Sequence, residues 1–484
     1  MNGKLKGLVP ERVFEHFESL TQIPRESGNE KAVSDYLVTF AKTLDLEVIQ
    51  ESCNNIIINK PATSGYENAP RVILQGHLDM VCTKDEALDF DFTQDPIEIW
   101  VDGDMVRTKG TTLGADNGIA VAMAMAVLES KEYAHPPLTA LFTVSEETGM
   151  DGVLALEPSH ISGDILINID SEEEGTALSS CAGGVNTIIK LPRELGSTTG
   201  FDTAYQIHIG GLLGGHSGME INKNRGNAIV LLGRLLEMLQ TKITYKVVSV
   251  SGGEKMNAIP KMAETTVCIK NADIEIFEDV IQLINNAFKN EFQTSDSAVD
   301  VTVKSVLLPE EAMTEKNQNA LISLLRLIPN GVQTMSNDIS GLVESSNNIG
   351  VLVTHDNIIE FSGAVRSSVK SLKGEINNRI LQVCNLVGAT LEFKGDYPEW
   401  EFKVKSPIRE LMKETYASMN QNELKIDAIH AGLECGLLKE KVGDIDMISI
   451  GPNLYDVHTP NEHMSISSTR RVFEFLCEVL KRIK

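Results

Sequence analysis

The sequence predicts an α/β domain interrupted by an inserted α+β domain, on three observations. Its 484 residues exceed what one hydrophobic core usually serves. Short apolar strands alternate with helical stretches at both ends of the chain, the pattern of a sheet covered on both faces. Between about residues 187 and 395 the character changes to longer strands and amphipathic helices. Residues 1–186 and 396–484 are therefore expected to form one domain and 187–395 the insert.

The elements follow in order. Val13–Leu20 reads as helix, followed by a polar Pro24–Glu30 turn and a second helix to about Thr43. Strand-like runs come at Glu47–Asn59 and Arg71–His77. The segment GTTLGADNGIAVAMAMAVLES, 110–130, is a Gly-rich turn running into an apolar helix, and Pro137–Ser145 and Ile165–Ile169 are short apolar strands.

The insert reads as internally repeated, each half running strand, helix, strand, strand, helix, with Asn227-Ala228-Ile229 falling where Asn319-Ala320-Leu321 does. Duplication and two independently similar α/β units stand as equal alternatives. Beyond it, Pro407–Asn420 and 434–442 read as helices, 444–452 as a buried strand ending in a loop, and a last helix starts near Ser467.

Composition narrows the function. A formal net charge of -25 repels phosphate backbones and anionic lipid headgroups, which disfavours nucleic acid or membrane as the main partner. The N-terminus has no continuous apolar stretch of the leader type, and a cytoplasmic protein is expected. Seven scattered cysteines with no C-x-x-C pair argue against a disulfide framework or a cysteine zinc site.

The chemistry-bearing candidates share one placement, after runs apolar enough to be buried. His77 and Asp79 sit at the end of RVILQGHLDMV, and alternate residues of a strand face the same side, so Asp79 can accept a hydrogen bond from the His77 ring. Asp116 precedes the apolar helix; Glu146 and Glu147 end the strand that begins near Leu138; Asp170 closes another apolar strand. His458 lies in a polar loop with His463 nearby, and spacing does not say which of the two points inward.

Singly, each has an ordinary explanation as a turn, an N-cap or a solvated strand end. Together they offer two imidazoles and three carboxylates, with a fourth carboxylate left over. Nitrogen and oxygen donors without thiolate suit zinc, cobalt or manganese. Two such ions about 3.5–4 Å apart, bridged by one carboxylate, polarise a carbonyl and acidify water, and the free glutamate then moves the proton.

The motifs IPRESGNE (23–30), GHLDMV (76–81), GTTLGADNGIAVA (110–122), SEETG (145–149), the Asp170 strand end and HSG (216–218) come in one order along the chain. In that order they resemble the di-zinc metallopeptidase family that includes aminoacylase and carnosinase. GGHSGMEINKNRGNA (214–228) and HTPNEHM (458–464) are most similar to its aminoacyl-histidine dipeptidase branch.

The resemblance implies a mixed-sheet exopeptidase domain with an inserted lid, two Zn2+ per subunit with Co2+ or Mn2+ as substitutes, and a dipeptide substrate. It implies that Asp116 bridges the metals, with His77 and Asp170 on one and Glu147 and His458 on the other. Glu146 is implied as general base and Asp79 as the group that orients His77, and the family's Asp-Asn bond after the bridge is typically cis. On the lid, His216 would stabilise the oxyanion and Arg366 would pair with the substrate's C-terminal carboxylate, with Asn257 and Gly432 as further contacts. Because the insert is roughly double the size of the small lid in dimeric relatives, His216 is expected to act within its own subunit, and a homodimer stays open. N-acyl amino acid deacylation or exo-carboxypeptidase action is the enzymatic alternative. A silent peptide- or metal-binding protein is the other alternative, against which Glu146 argues, since a binder needs no base.

Overall fold

Val72–His77 is buried at every position, which is why its sequence is a continuous apolar run rather than an alternating one. It lies inside an eight-stranded mixed sheet whose order is Glu47–Gln50, Ile56–Lys60, Leu138–Thr143, Val72–His77, Ile165–Asn168, Asp446–Ser449, Thr176–Cys181 and Lys425–Ile429. The middle four strands are parallel, so their carboxyl ends share one edge.

The computed structural model describes residues 3–484. They divide into two units: residues 3–180 with Phe402–Ala428 and Leu433–Lys484, and Cys181–Glu401 with Ile429–Gly432. The expected α/β class is observed, and each unit has its own hydrophobic core.

In the first unit the helix Ala115–Glu129 is buried almost all round and packs on Glu11–Leu20 and on the Val72–His77 strand. Gly76 permits this close packing, because a Cβ there would lie 2.4 Å from Asn117 Oδ1 and 2.8 Å from Ala120 Cβ. A four-stranded sheet, Leu454–Tyr455, His463–Ser465, Met105–Thr108 and Ile99–Asp102, was not legible in the sequence. Its strands are two to four residues long, too short for an alternating pattern to stand out.

The second unit is wider than the 187–395 stretch. Gly183–Pro192 already pairs with Ile358–Ser367 and Thr390–Tyr397, and Ala182 N donates to the carbonyls of Ile429 and Ala431 at 3.1 Å. Strand pairing is a long-range property that local composition does not carry. Gly432, placed by sequence with the outer segments, accordingly belongs to this unit.

Its antiparallel sheet runs Asp300–Val306, Thr203–Gly210, Ala263–Ile269, Lys246–Gly252, Val343–Thr354, Ile358–Ser367, Gly183–Pro192 and Thr390–Tyr397. The first four strands with two helices, and the last four with two others, show the same strand–helix–strand–strand–helix–strand order. The first set is nested inside the second, whose opening strand is Gly183–Pro192. The equivalence of Asn227 with Asn319 does not hold. Asn227 caps the helix Ala228–Gln240 by accepting from Ile229 N and Val230 N, whereas Asn319 lies inside Glu315–Leu327, a helix capped by Thr314.

Candidate metal centre

The parallel strands deliver their functional groups to the shared carboxyl edge, where ligands bind in open α/β sheets. His77 ends its strand and Asp170 follows Ile165–Asn168 by two residues. Glu146 and Glu147 do not end a strand as expected. The strand stops at Thr143, Ser145 turns the chain at φ 54°, and both glutamates sit on the single helical turn Glu146–Gly149. Asp116 stands at the start of the Ala115–Glu129 segment, where Asp116 and Asn117 leave helical geometry and the peptide between them is cis. Tyr455 pairs with His463, so the chain between them is a hairpin loop that presents His458.

These segments converge. His77 Nε2 lies 3.1 Å from Asp116 Oδ1 and 3.5 Å from Asp170 Oδ1. His458 Nε2 lies 3.0 Å from both Asp116 Oδ2 and Glu147 Oε1. His458 is therefore the histidine turned inward, while His463 stacks on Tyr455 and its Nδ1 lies 2.8 Å from the Asn461 carbonyl.

The donor set fits two cations. His77, Asp116 and Asp170 form one group and Asp116, Glu147 and His458 another, with donor atoms in each within 4.8 Å of one another. Metal bonds of about 2.0–2.1 Å in a tetrahedron put donors roughly 3.3 Å apart, and the four histidine-to-carboxylate distances, 3.0–3.5 Å, match that spacing. Asp116 belongs to both groups and turns one oxygen to each. Glu146 joins a third group with His77 and Glu147.

The electrostatics are those of crowded acids out of water. Burial pushes Asp170 well above the usual carboxylate range, opposed by His77 and reinforced by Asp116, Glu146 and Glu434. Burial likewise pushes Glu146 up to about 8, against His77 and with the help of Glu434, Glu147 and Asp116. Asp116 and Glu147 hold the His458 imidazolium up to about 11. Burial works against a charge on His77, yet Asp170, Asp116 and Asp79 together raise it well above the ordinary imidazole range.

Asp79 lies behind His77 with no exposure, its Oδ1 3.3 Å from His77 Nδ1. That ring nitrogen is also 3.1 Å from the Asp79 carbonyl, so Nε2 faces the centre. The Asp79 carboxylate also accepts from Ser27 Oγ at 2.8 Å, Glu146 N at 3.0 Å and Glu147 N at 3.2 Å. Burial resists its ionisation, but His77, Ser27 and the Glu146 amide outweigh it and hold the carboxyl at about 2.

Several supporting residues were missed by sequence reasoning. Glu462 accepts from four successive amides, Leu113, Gly114, Ala115 and Asp116, at 2.7, 3.0, 2.8 and 3.4 Å, and so fixes the turn that carries Asp116. Buried Arg25 donates to the carbonyls of Leu78 and Asp79 at 2.9 and 3.1 Å and to that of Gly114. Asn117 accepts from His77 N and donates to Ile169 O, tying two strand ends together. Arg25 and Glu462 lie inside the quoted motifs, but only tertiary pairing gives them a role.

The other expected residues lie in the second unit. His216 pairs with Ala258 on a two-residue strand. Its Nδ1 accepts from Gly218 N at 3.3 Å and Met219 N at 3.2 Å, which leaves the proton of the neutral ring on Nε2. Burial and the charge of Arg366 lower its pKa. Arg366 donates from Nη1 to Tyr397 Oη at 2.9 Å, and Arg366 and Asn257 line one cavity of about 650 Å³. Gly432 lies two residues after His430, whose Nε2 is 2.7 Å from Ser346 Oγ.

Comparison with known proteins places this architecture. The model of peptidase family M20/M25/M40 matches residues 73–482. The chain is 38% identical to the cytosol non-specific dipeptidase of Escherichia coli (strain K12), over 99% of both chains. Its structure is similar to that of aminoacylhistidine dipeptidase from Vibrio alginolyticus, with a TM-score of 0.96, 36% identity and coverage of 100% of this chain and 99% of that one. An aminopeptidase from Bacillus cereus shares the fold at 14% identity, with a TM-score of 0.56 over 98% of this chain and 99% of that one. Through the matched family model and the near full-length relative, the chain belongs to peptidase family M20/M25/M40.

Proposed function

We propose that the chain is a dinuclear zinc dipeptidase acting on dipeptides with a free C-terminal carboxylate, Xaa-His dipeptides such as carnosine among them. The observation that carries this reading is Asp116, whose two oxygens face His77 and His458 at 3.1 and 3.0 Å, the arrangement of a carboxylate that joins two cations. The names of the Escherichia coli and Vibrio alginolyticus relatives support dipeptides as substrates, and the first supports a cytosolic location. Zinc is favoured by the histidine and carboxylate donors, which cobalt and manganese also suit.

With Asp116 shared, His77 and Asp170 would complete one cation's protein ligands and Glu147 and His458 the other's. When bound, the pair supplies Lewis acidity for the scissile carbonyl and acidifies water. Glu146 takes the proton of the attacking water on its carboxylate and delivers it to the leaving amine. Its carboxylate oxygen lies within 4.8 Å of donor atoms of His77 and Glu147, beside the ligands near which that water would sit. Asp79 keeps the His77 ring turned. Neutral His216 offers an Nε2 proton to the developing oxyanion, and the Arg366 guanidinium matches a carboxylate. Asn257 and Gly432 complete the substrate contacts.

The test is turnover of carnosine, other dipeptides, tripeptides and N-acetyl amino acids by zinc-loaded protein, beside a Glu146→Gln variant. Dipeptides should be preferred, and the variant should lose about 10²–10⁴-fold in kcat while binding metal normally. Preference for acetylated substrates would establish the deacylase alternative instead, and full activity in the variant would remove Glu146 as base.

A further inference from the structure

Beneath the centre, the four parallel strands each contribute one polar side chain to a buried row: Ser449, Asn168, Gln75 and Thr143, all at most 1% exposed. Ser449 Oγ donates to Asn168 Oδ1, and Asn168 Nδ2 donates to Gln75 Oε1. Gln75 Nε2 donates to Thr143 Oγ1 at 3.2 Å and to Glu434 Oε2 at 2.6 Å, and Thr143 Oγ1 donates to the same oxygen at 2.8 Å. Every donor in the row points toward Glu434. A row polarised in this sense favours a negative charge at its end.

Glu434 is a poor place for a charge if nothing else is considered. It is 1% exposed, its Oε1 has no hydrogen-bond partner, and among the described residues it forms no ion pair. Burial pushes it up to about 7, against the pull of His77, Thr143 and Gln75. Its charge also reaches Glu146 and Asp170 and makes both harder to ionise. A structural glutamate would be better replaced by glutamine, which keeps an acceptor for Gln75 and Thr143 without the cost of a buried charge.

The placement of the row suggests what the charge is for. Gln75 stands two residues before His77, Asn168 two before Asp170 and Thr143 four before Glu147, so the row links three of the strands from which the ligands rise. Resting on the reading of this site as a dinuclear metal centre, we propose that Glu434 is a positioning residue: an outer counter-charge, held by a hydrogen-bonded row across the strand ends, that raises the affinity of the centre for its two cations. Groups outside the ligand set that orient and charge a metal site typically contribute 10–100-fold in affinity.

The test compares metal-free wild type, Glu434→Gln and Glu434→Asp by competition for Zn2+ against a chromophoric chelator, with the thermal midpoint of each metal-free protein recorded alongside. Glu434→Gln should keep or raise the metal-free midpoint and bind the pair about 10–100-fold more weakly. Glu434→Asp, which keeps the charge but draws it back from Gln75 and Thr143, should melt earlier yet bind zinc more tightly than the Gln variant. If Glu434→Gln does not fold, an Asp variant binding within a few-fold of wild type supports the proposal, and one weakened 100-fold overturns it. Wild-type affinity in Glu434→Gln, with wild type itself taking up two ions, overturns this inference alone. A wild-type protein that takes up no pair overturns it together with the reading of the site.

Discussion

Asp79 accepts the backbone amide of Glu146 at 3.0 Å with Oδ1, the same oxygen that faces His77 Nδ1 at 3.3 Å. One carboxylate therefore sets both the ring orientation of the proposed metal ligand His77 and the position of the proposed base. Replacing Asp79 by Ala should lower metal affinity about 10–100-fold, the usual effect of removing a partner from a ligating histidine. It should also lower kcat in the reconstituted enzyme, because the turn bearing Glu146 loses its anchor. Zinc competition and turnover at saturating metal separate the two effects. Normal kcat once zinc is saturating would mean that Asp79 serves the ligand alone.

Protonation of the centre predicts how the metal-free protein responds to pH. Glu146 is raised from 4.5 to about 8 and His458 from 6.5 to about 11. A raised folded pKa contributes stability that is complete below the unfolded value and is lost as pH rises through the folded one. His16, His135, His216 and His430, lowered chiefly by burial, shift the other way and oppose this below about pH 6.5. The melting temperature of metal-free protein should therefore fall above about pH 6.5, through Glu146 to about pH 8 and through His458 on toward about pH 11. Zinc affinity should rise over the same interval, since ligation displaces the proton on His458. Thermal melts with and without chelator at each pH check both, and the gap between the two curves should widen with pH.

Much of the first unit could be read in the sequence for one reason: parallel strands buried on both faces are continuous apolar runs, so the acid or histidine ending each run stands out. That singled out His77, Glu146, Glu147 and Asp170 as candidates, although the helical turn carrying the two glutamates was read as strand. The choice of His458 over His463 was not legible, because it depends on a hairpin between Tyr455 and His463 and on its docking against Met105–Thr108. Glu462 and Arg25 were missed because backbone amides and carbonyls more than 50 residues away are what they bind. Asn319 was paired with Asn227 on local likeness, and the cap at Thr314 shows that the register differs.

Glu462 gives the most direct test of that hidden layer. It is 3% exposed and satisfies four amides that would otherwise have no acceptor. Glu462→Ala leaves them unpaired in the interior, at about 1–3 kcal/mol for each group that water does not reach. Chemical denaturation should show a loss of at least about 2 kcal/mol. Glu462→Gln, which keeps two amides at most on its single carbonyl oxygen, should fall between. Zinc affinity should drop in both, since the turn carrying Asp116 loosens. Wild-type stability in the Ala variant would mean that the amides find other acceptors.

Arg366 is the residue on which the preference for a free C-terminus should depend. Its Nη1 is held by Tyr397 Oη at 2.9 Å, and the side chain lines the cavity it shares with Asn257. A hydrogen bond to a charged group contributes about 1.5–3 kcal/mol, equivalent to roughly 10–150-fold in kcat/KM. Arg366→Ala should therefore lose about that factor on a dipeptide and much less on the corresponding dipeptide amide, which has no carboxylate to offer. Tyr397→Phe should give a smaller loss of the same kind, because the guanidinium keeps its charge and loses its anchor. Arg366→Lys should recover little, since one ammonium does not reproduce a two-pronged contact. Equal losses on acid and amide would show that Arg366 supports the fold of the second unit rather than reading the carboxylate.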